Sequence, residues 1–156
     1  MKIMANVLLG GIKDTIKRQA LVDTGAEVSL MPRGTAIQIG AWRTDQYKNI
    51  VGVHREVRTL PVIAAYLAFP SLTKKVCKFS FVMSDEQDEI IVGMDILQPA
   101  GITIDSRTGL LTVKNETWEA FKTISGKGLL IYGGIKILGA IFSDKPKSRK
   151  RRRKNG

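Results

Sequence analysis

Cysteine and histidine are almost missing from this 156-residue chain. Cys77 has no second thiol to pair with, so no internal disulfide can hold the fold, and the composition fits a reducing compartment such as the cytosol. His54 is the only histidine; it is flanked by Val53 and Arg55 with no Ser or Cys motif beside it, which argues against a Ser-His or Cys-His nucleophile. No metal-ligand cluster exists in the sequence, and neither a metal nor an organic cofactor is expected. Long apolar runs are missing too. Residues 128–142 come nearest, but the run is too short to span a bilayer and is broken by Lys136 and several glycines, so further strands or a partner-binding strand are expected there. Met1-Lys2-Ile3-Met4 leads into no sustained apolar stretch, and no secretory signal is expected.

Acidic charge is scarce overall, but its deficit is local. The chain carries 25 Lys and Arg against 14 Asp and Glu, a net charge of +11. Eight of those cations lie in residues 145–156 with no acid among them, leaving 17 basic against 14 acidic residues elsewhere, or +3. The body of the chain is therefore near balance, and residues 145–156 read as a disordered basic tail. Such a tail can bind RNA or DNA phosphates without sequence preference, serve as a nuclear-import signal, or be solvated with no specific role. It holds no aromatic residue on which a base could stack.

What is abundant is β-forming sequence. Residues 7–12 and 16–22 predict a hairpin, residues 57–67 a long β-rich run, residues 76–83 a half-buried strand and residues 85–89 a solvated acidic loop. Residues 102–105 and 110–113 read as two strands around Ser106-Arg107-Thr108-Gly109. Together these make one small all-β domain over residues 1–113, long enough to bury a core and more secure if a dimer interface adds to it. Residues 114–144 form an extension whose first part, Glu116 to Ile124, predicts a short helix with Trp118, Phe121 and Ile124 on one side.

Chemistry enters at Ala20-Leu21-Val22-Asp23-Thr24-Gly25-Ala26, a carboxylate on a Gly-containing loop directly after an apolar strand. The motif occurs once. Asp23 could be an ordinary turn residue ending a strand, with Gly25 left-handed. The surroundings favour more. Ile90-Ile91-Val92-Gly93-Met94-Asp95 is a short apolar strand, a Gly and the start of a helix limited by Pro99. In order and spacing, the two motifs resemble those of the retroviral-type aspartic proteases, the retropepsins, over residues 5–113.

That resemblance implies a small closed β domain with one short helix after the Ile90–Asp95 segment, active as a two-fold homodimer. Two nearby carboxylates cannot both ionise, so one serves as acid and the other as base; a chain supplying one Asp23 needs a second copy. By resemblance Asp23 is catalytic, Thr24 braces the loop through the facing loop's backbone, and Asp95 supports it from beneath. Gly25, Ala26 and Glu27 would contact substrate backbone. Val51, Gly52 and Val53 fall where the family's flap folds over bound peptide. A plain surface hairpin would explain that stretch equally.

One departure stands out. The family often places Arg where this chain has Met94, and that Arg pairs with the acid corresponding to Glu27. Either Glu27 faces solvent and substrate, or Arg18 or Arg33 compensates. Some cellular and retrotransposon relatives resemble this chain in lacking the Arg.

The expected activity is aspartic endopeptidase cleavage of extended substrates, with a homodimer processing a retroviral or retroelement polyprotein. Alternatives are a domesticated cellular protease of the same kind or a non-catalytic dimerisation or nucleic-acid-binding module. The cytoplasm or a viral or virus-like particle is the matching location. An alternative reading of residues 114–156 is that they include part of a neighbouring polyprotein segment.

Overall fold

The computed structural model describes residues 1–114; the expected helix at 116–124, the apolar stretch at 128–142 and the basic tail at 145–156 lie outside the described residues. Among the described residues, nine strands and two helices follow in the order β1 (Lys2–Gly10), β2 (Thr15–Asp23), β3 (Leu30–Pro32), α1 (Arg33–Ile39), β4 (Trp42–Val51), β5 (Val57–Ala68), β6 (Val76–Ser84), β7 (Ile90–Val92), α2 (Met94–Ala100), β8 (Ile102–Ile104) and β9 (Leu111–Val113).

Six strands close into a barrel. The order β1-β2-β7-β3-β6-β5 returns to β1 through Leu8↔Ala68 and Gly10↔Tyr66, while β4 extends the sheet beyond β5. Two of the pairs, β2 with β7 and β3 with β6, are parallel. Parallel strands are covered on both faces, which suits the apolar Ala20–Val22 and Ile90–Val92 stretches. β8 and β9 form a separate two-stranded hairpin around a turn in which Gly109 is left-handed, with φ of +68°.

β5 shows how the core is divided. Ile63, Ala65 and Leu67 face the main core with Leu9, Val22, Met31, Phe79 and Phe81. The alternate residues Tyr66 and Ala68 pack with Leu8, Val76 and Trp42 on the other face. Trp42 meets Tyr66 edge-to-face with ring centroids 5.5 Å apart, and the Lys78 ammonium sits 3.9 Å from the Trp42 centroid. Partial burial there pushes the Lys78 pKa down. Cys77 is buried in the main core.

Where β4 crosses Pro61 its register shifts between Arg43 and Tyr47. Proline has no N–H for the ladder, and the irregularity falls beside it. The Thr44 hydroxyl donates to the Val62 carbonyl at 2.6 Å across the gap.

Three expectations need correction. The domain has two helices where one was expected: Arg33–Ile39 is helical although it contains Gly34 and Thr35 and has no side-chain N-cap. Its Ala36 and Ile39 are buried, and Gly40 closes it with a φ of +66°, so packing overrides weak propensity. Pro99 does not limit α2 but lies within its last turn, and the left-handed Gly101 ends it. The first hairpin starts earlier than expected, with Lys2 opposite Asp23 and Gly10 opposite Thr15.

Candidate active site

β2 delivers Asp23 as its last residue, and the chain turns immediately: the Ala26 N–H donates to the Asp23 carbonyl at 3.2 Å. The Gly25 N–H donates to Asp23 Oδ1 at 2.9 Å, fixing one carboxylate oxygen. Asp23 is one of two buried polar residues among those described, 8 % exposed. Its Oδ2 lies 3.6 Å from the Lys2 ammonium, on a side chain that is 66 % exposed; water screens that pair and it contributes little. A Cβ on Gly25 would come within 3.2 Å of Oδ1, a tight contact that the carboxylate would have to relieve by shifting.

Thr24 is exposed and works within its own chain. Its N–H donates to the Met1 carbonyl at 3.1 Å, and its hydroxyl accepts from the Met1 amino group at 3.0 Å. The expected bond to a facing loop involves a second copy and has no counterpart within one chain.

Beneath the loop runs the β7–α2 segment. The Met94 N–H donates to the Ala26 carbonyl at 2.7 Å. Asp95 accepts twice from Ser29, from its hydroxyl at 2.6 Å and its N–H at 3.0 Å, and the Ser29 hydroxyl in turn accepts from the Gly93 N–H at 2.9 Å. Ser29 is fully buried. Sequence reasoning passed over it as the polar member of Val28-Ser29-Leu30; a small hydroxyl residue just after the loop, among strand-forming apolar residues, was the available signal. Ser29→Ala leaves the buried Gly93 N–H and an Asp95 oxygen without their partner, and should cost about 2 kcal/mol. Thermal unfolding of the variant should then show a midpoint lowered by roughly 10 °C.

Glu27 is exposed, and neither proposed partner reaches it: Arg18 donates to Gln38 Oε1 and the Lys17 carbonyl, while Arg33 pairs with Asp85 at 3.4 Å. Met94 therefore leaves Glu27 without a cation among the described residues.

Val51, Gly52 and Val53 lie at the tip of the β4–β5 hairpin. The Gly52 N–H donates to the Glu56 carbonyl at 2.8 Å, the Arg55 N–H to the Gly52 carbonyl at 2.9 Å, and Arg55 takes a left-handed φ of 63°. Val51 and Val53 are 65 % and 96 % exposed. A groove of about 370 Å³ runs between Ala26, Glu27, Val28 and Leu30 on one side and Asn49, Ile50 and Val51 on the other. A neighbouring cavity of about 570 Å³ takes in Gly52, Val53, Leu30, Leu60 and residues 84–87. Ala26, Glu27 and the hairpin are thus brought together, while Asp23, Thr24 and Gly25 line neither space. Arg58 on β5 pairs with Glu86, whose hydrogen bond and charge raise the pKa of the guanidinium. Among the described residues no group of three His, Cys, Asp or Glu could hold a metal ion, and no helix is long and apolar enough to cross a membrane.

Residues 9–99 match the family model described as "gag-polyprotein putative aspartyl protease". No curated protein sequence matches. The chain is similar to the retroviral protease-like domain of Ddi1 from Leishmania major, with 24% identity and a TM-score of 0.51, covering 72% of this chain and 89% of that one. It is also similar to EIAV protease complexed with the inhibitor HBY-793, with 19% identity and a TM-score of 0.47 over 63% of this chain and 86% of that one. A retropepsin-like aspartic protease from Rickettsia conorii has 18% identity and a TM-score of 0.46, over 70% of this chain and 79% of that one. At this identity the Ddi1 likeness is one of fold. The family match takes in Asp23-Thr24-Gly25, the hairpin and the Ile90–Asp95 segment in one stretch, and by it the chain belongs to the retropepsin-like aspartic proteases.

Proposed function

We propose that this chain is an aspartic endopeptidase that works as a homodimer on extended peptide substrates, with Asp23 from each copy forming the catalytic pair. The observation that supports this reading best is the setting of Asp23: a nearly buried carboxylate with one oxygen held by the Gly25 N–H, on a loop braced by Ser29 and Asp95. One carboxylate of the pair stays protonated because two anions at close range repel. The ionised one takes a proton from water as the oxygen attacks the peptide carbonyl, and the other supplies a proton as the carbon–nitrogen bond breaks and the amine leaves. Thr24 and Asp95 hold the loop, and Gly25, Ala26 and Glu27 offer backbone to the substrate.

The hairpin supports the substrate class. Exposed Val51 and Val53 are apolar surface that a bound peptide would cover, and the groove is lined by Ala26, Glu27 and Val28 on one side and Ile50 and Val51 on the other. The family description makes a gag-type polyprotein the favoured substrate. A domesticated cellular protease is the second reading, favoured by Met94 in place of the family's Arg.

Cleavage of a peptide library across a dilution series tests the reading. Well below the dimer dissociation constant, each doubling of protein should raise the rate about fourfold, since the active species grows as the square of concentration. A rate linear in protein at concentrations where sedimentation finds only monomers would mean a site complete within one chain. No cleavage at any concentration would favour the dimerisation or nucleic-acid-binding module.

A further inference from the structure

A groove of about 400 Å³ lies between α1, the turn at residues 11–14 and the start of β4. It shares no lining residue with the two spaces at the hairpin. Its floor is apolar, made by Ala36, Ala41, Ile63 and Met83. Ile12 and Ile37 stand on its rim, 64 % and 56 % exposed. Lys13, Arg33 and Arg43 line it and no acidic residue does. Arg33 is held by Asp85 at 3.4 Å, whereas Lys13 and Arg43 have no carboxylate partner among the described residues.

The groove is built, not a gap between side chains. The N–H groups of Ile12 and Lys13 donate to the carbonyls of Gly40 and Ile39, both at 2.9 Å, and the Asp14 N–H also reaches Ile39 at 3.2 Å. The turn thereby satisfies the C-terminal end of α1 and fixes Ile12 and Lys13 at the rim. Gly11 permits this approach, since a Cβ there would collide with the Ile39 and Gly40 carbonyls.

We propose that this groove docks an extended peptide segment of a partner protein that combines carboxylates with apolar side chains, away from the cleavage site. Charge complementarity selects the occupant: unpaired cations attract carboxylates, and the apolar floor and exposed isoleucines reward side chains that a nucleic-acid backbone lacks. The docking does not depend on Asp23.

The test is fluorescence anisotropy of a short labelled peptide of repeated Glu-Glu-Leu with the full chain carrying Asp23→Asn, at physiological salt. Basic residues 145–154 attract the same probe, so the readout is the change on substituting the groove with the tail intact. Lys13→Glu with Arg43→Glu should raise the dissociation constant about tenfold or more, and Ile37→Ser about threefold. Replacing Leu by Ser in the probe should weaken it similarly to Ile37→Ser. These side chains are exposed, and a matching melting profile will confirm that the variants fold. Affinity unchanged by all three substitutions would overturn the proposal and assign binding to the tail. A short single-stranded RNA that binds as tightly, with the same dependence on Lys13 and Arg43, would overturn it in favour of a phosphate groove. Dissociation of dimers by the charge reversal would make this face an interface between copies instead.

Discussion

Asp23→Asn should reduce peptide-bond cleavage by about a thousandfold or more while leaving the fold in place. Both parts follow from the same geometry. The Asn side chain keeps an oxygen that can accept the Gly25 N–H, so the bond at 2.9 Å to Oδ1 has a substitute and the turn through Ala26 is untouched. The pair with Lys2 is lost, but that cation is two-thirds exposed and its removal costs little. What disappears is the ability to exchange a proton with water. In a dimer each subunit contributes one such group, so a mixed dimer of wild-type and variant chains should be as dead as the variant. The checks are turnover of a peptide from the library, thermal unfolding, and sedimentation to show that the variant still pairs. Cleavage at more than about a tenth of the wild-type rate would mean that another group activates water.

Gly93→Ala should destabilise the domain and weaken the active-site loop together. A Cβ at residue 93 would lie 2.7 Å from the Ala26 carbonyl oxygen and 3.0 Å from the carbonyl carbon and oxygen of Val28. All three are backbone atoms, so no rotamer change relieves the clash. Gly93 itself has an extended backbone, with φ −99° and ψ −172°, so its role is close approach and not an unusual conformation. To accept the methyl, α2 must retreat from the loop, which stretches the 2.7 Å bond from Met94 to Ala26 and the 2.9 Å bond from Gly93 to Ser29. Overpacking of this kind costs about 2 to 3 kcal/mol, and the lost hydrogen bonds add to it. Denaturant titration should show the midpoint lowered with little change in slope, and activity should fall beyond what the unfolded fraction explains. A variant of unchanged stability and activity would show that the loop and α2 need no such contact.

Residues with repetitive local signals were legible before the fold was known. The strands of the first hairpin, β5, β6 and the β8–β9 pair show apolar runs or alternation broken by Gly and turn residues, and the Asp-Thr-Gly loop followed by Ile90–Asp95 carried the family resemblance. α1 was not legible, because Arg33-Gly34-Thr35-Ala36-Ile37-Gln38-Ile39 has neither a cap nor strong helix formers, and its helicity depends on burying Ala36 and Ile39. Ser29 was missed for a related reason. Its partners, Gly93 and Asp95, are more than sixty residues away in sequence, and nothing local distinguishes a hydroxyl that bridges two elements from one on a solvated strand. The loss of the Met94-position cation was visible; that neither Arg18 nor Arg33 replaces it became clear only when Gln38 and Asp85 were found holding them.

The two parallel pairings give the site a place in time as well as space. β2 ends on Asp23 early in the chain, yet its neighbour on one side is β7, paired through Ala20↔Ile90 and Val22↔Val92, and β3 lies between β7 and β6. A nascent chain that has emerged only as far as Ser84 already contains Asp23, the whole hairpin and six of the strands, but not β7, Gly93 or Asp95. Contacts of such long sequence separation form late, after the chain entropy of closing the loop has been met. The loop carrying the carboxylate is thus among the last parts of the domain to be assembled, and its bracing waits on residues made some seventy positions after Asp23 itself.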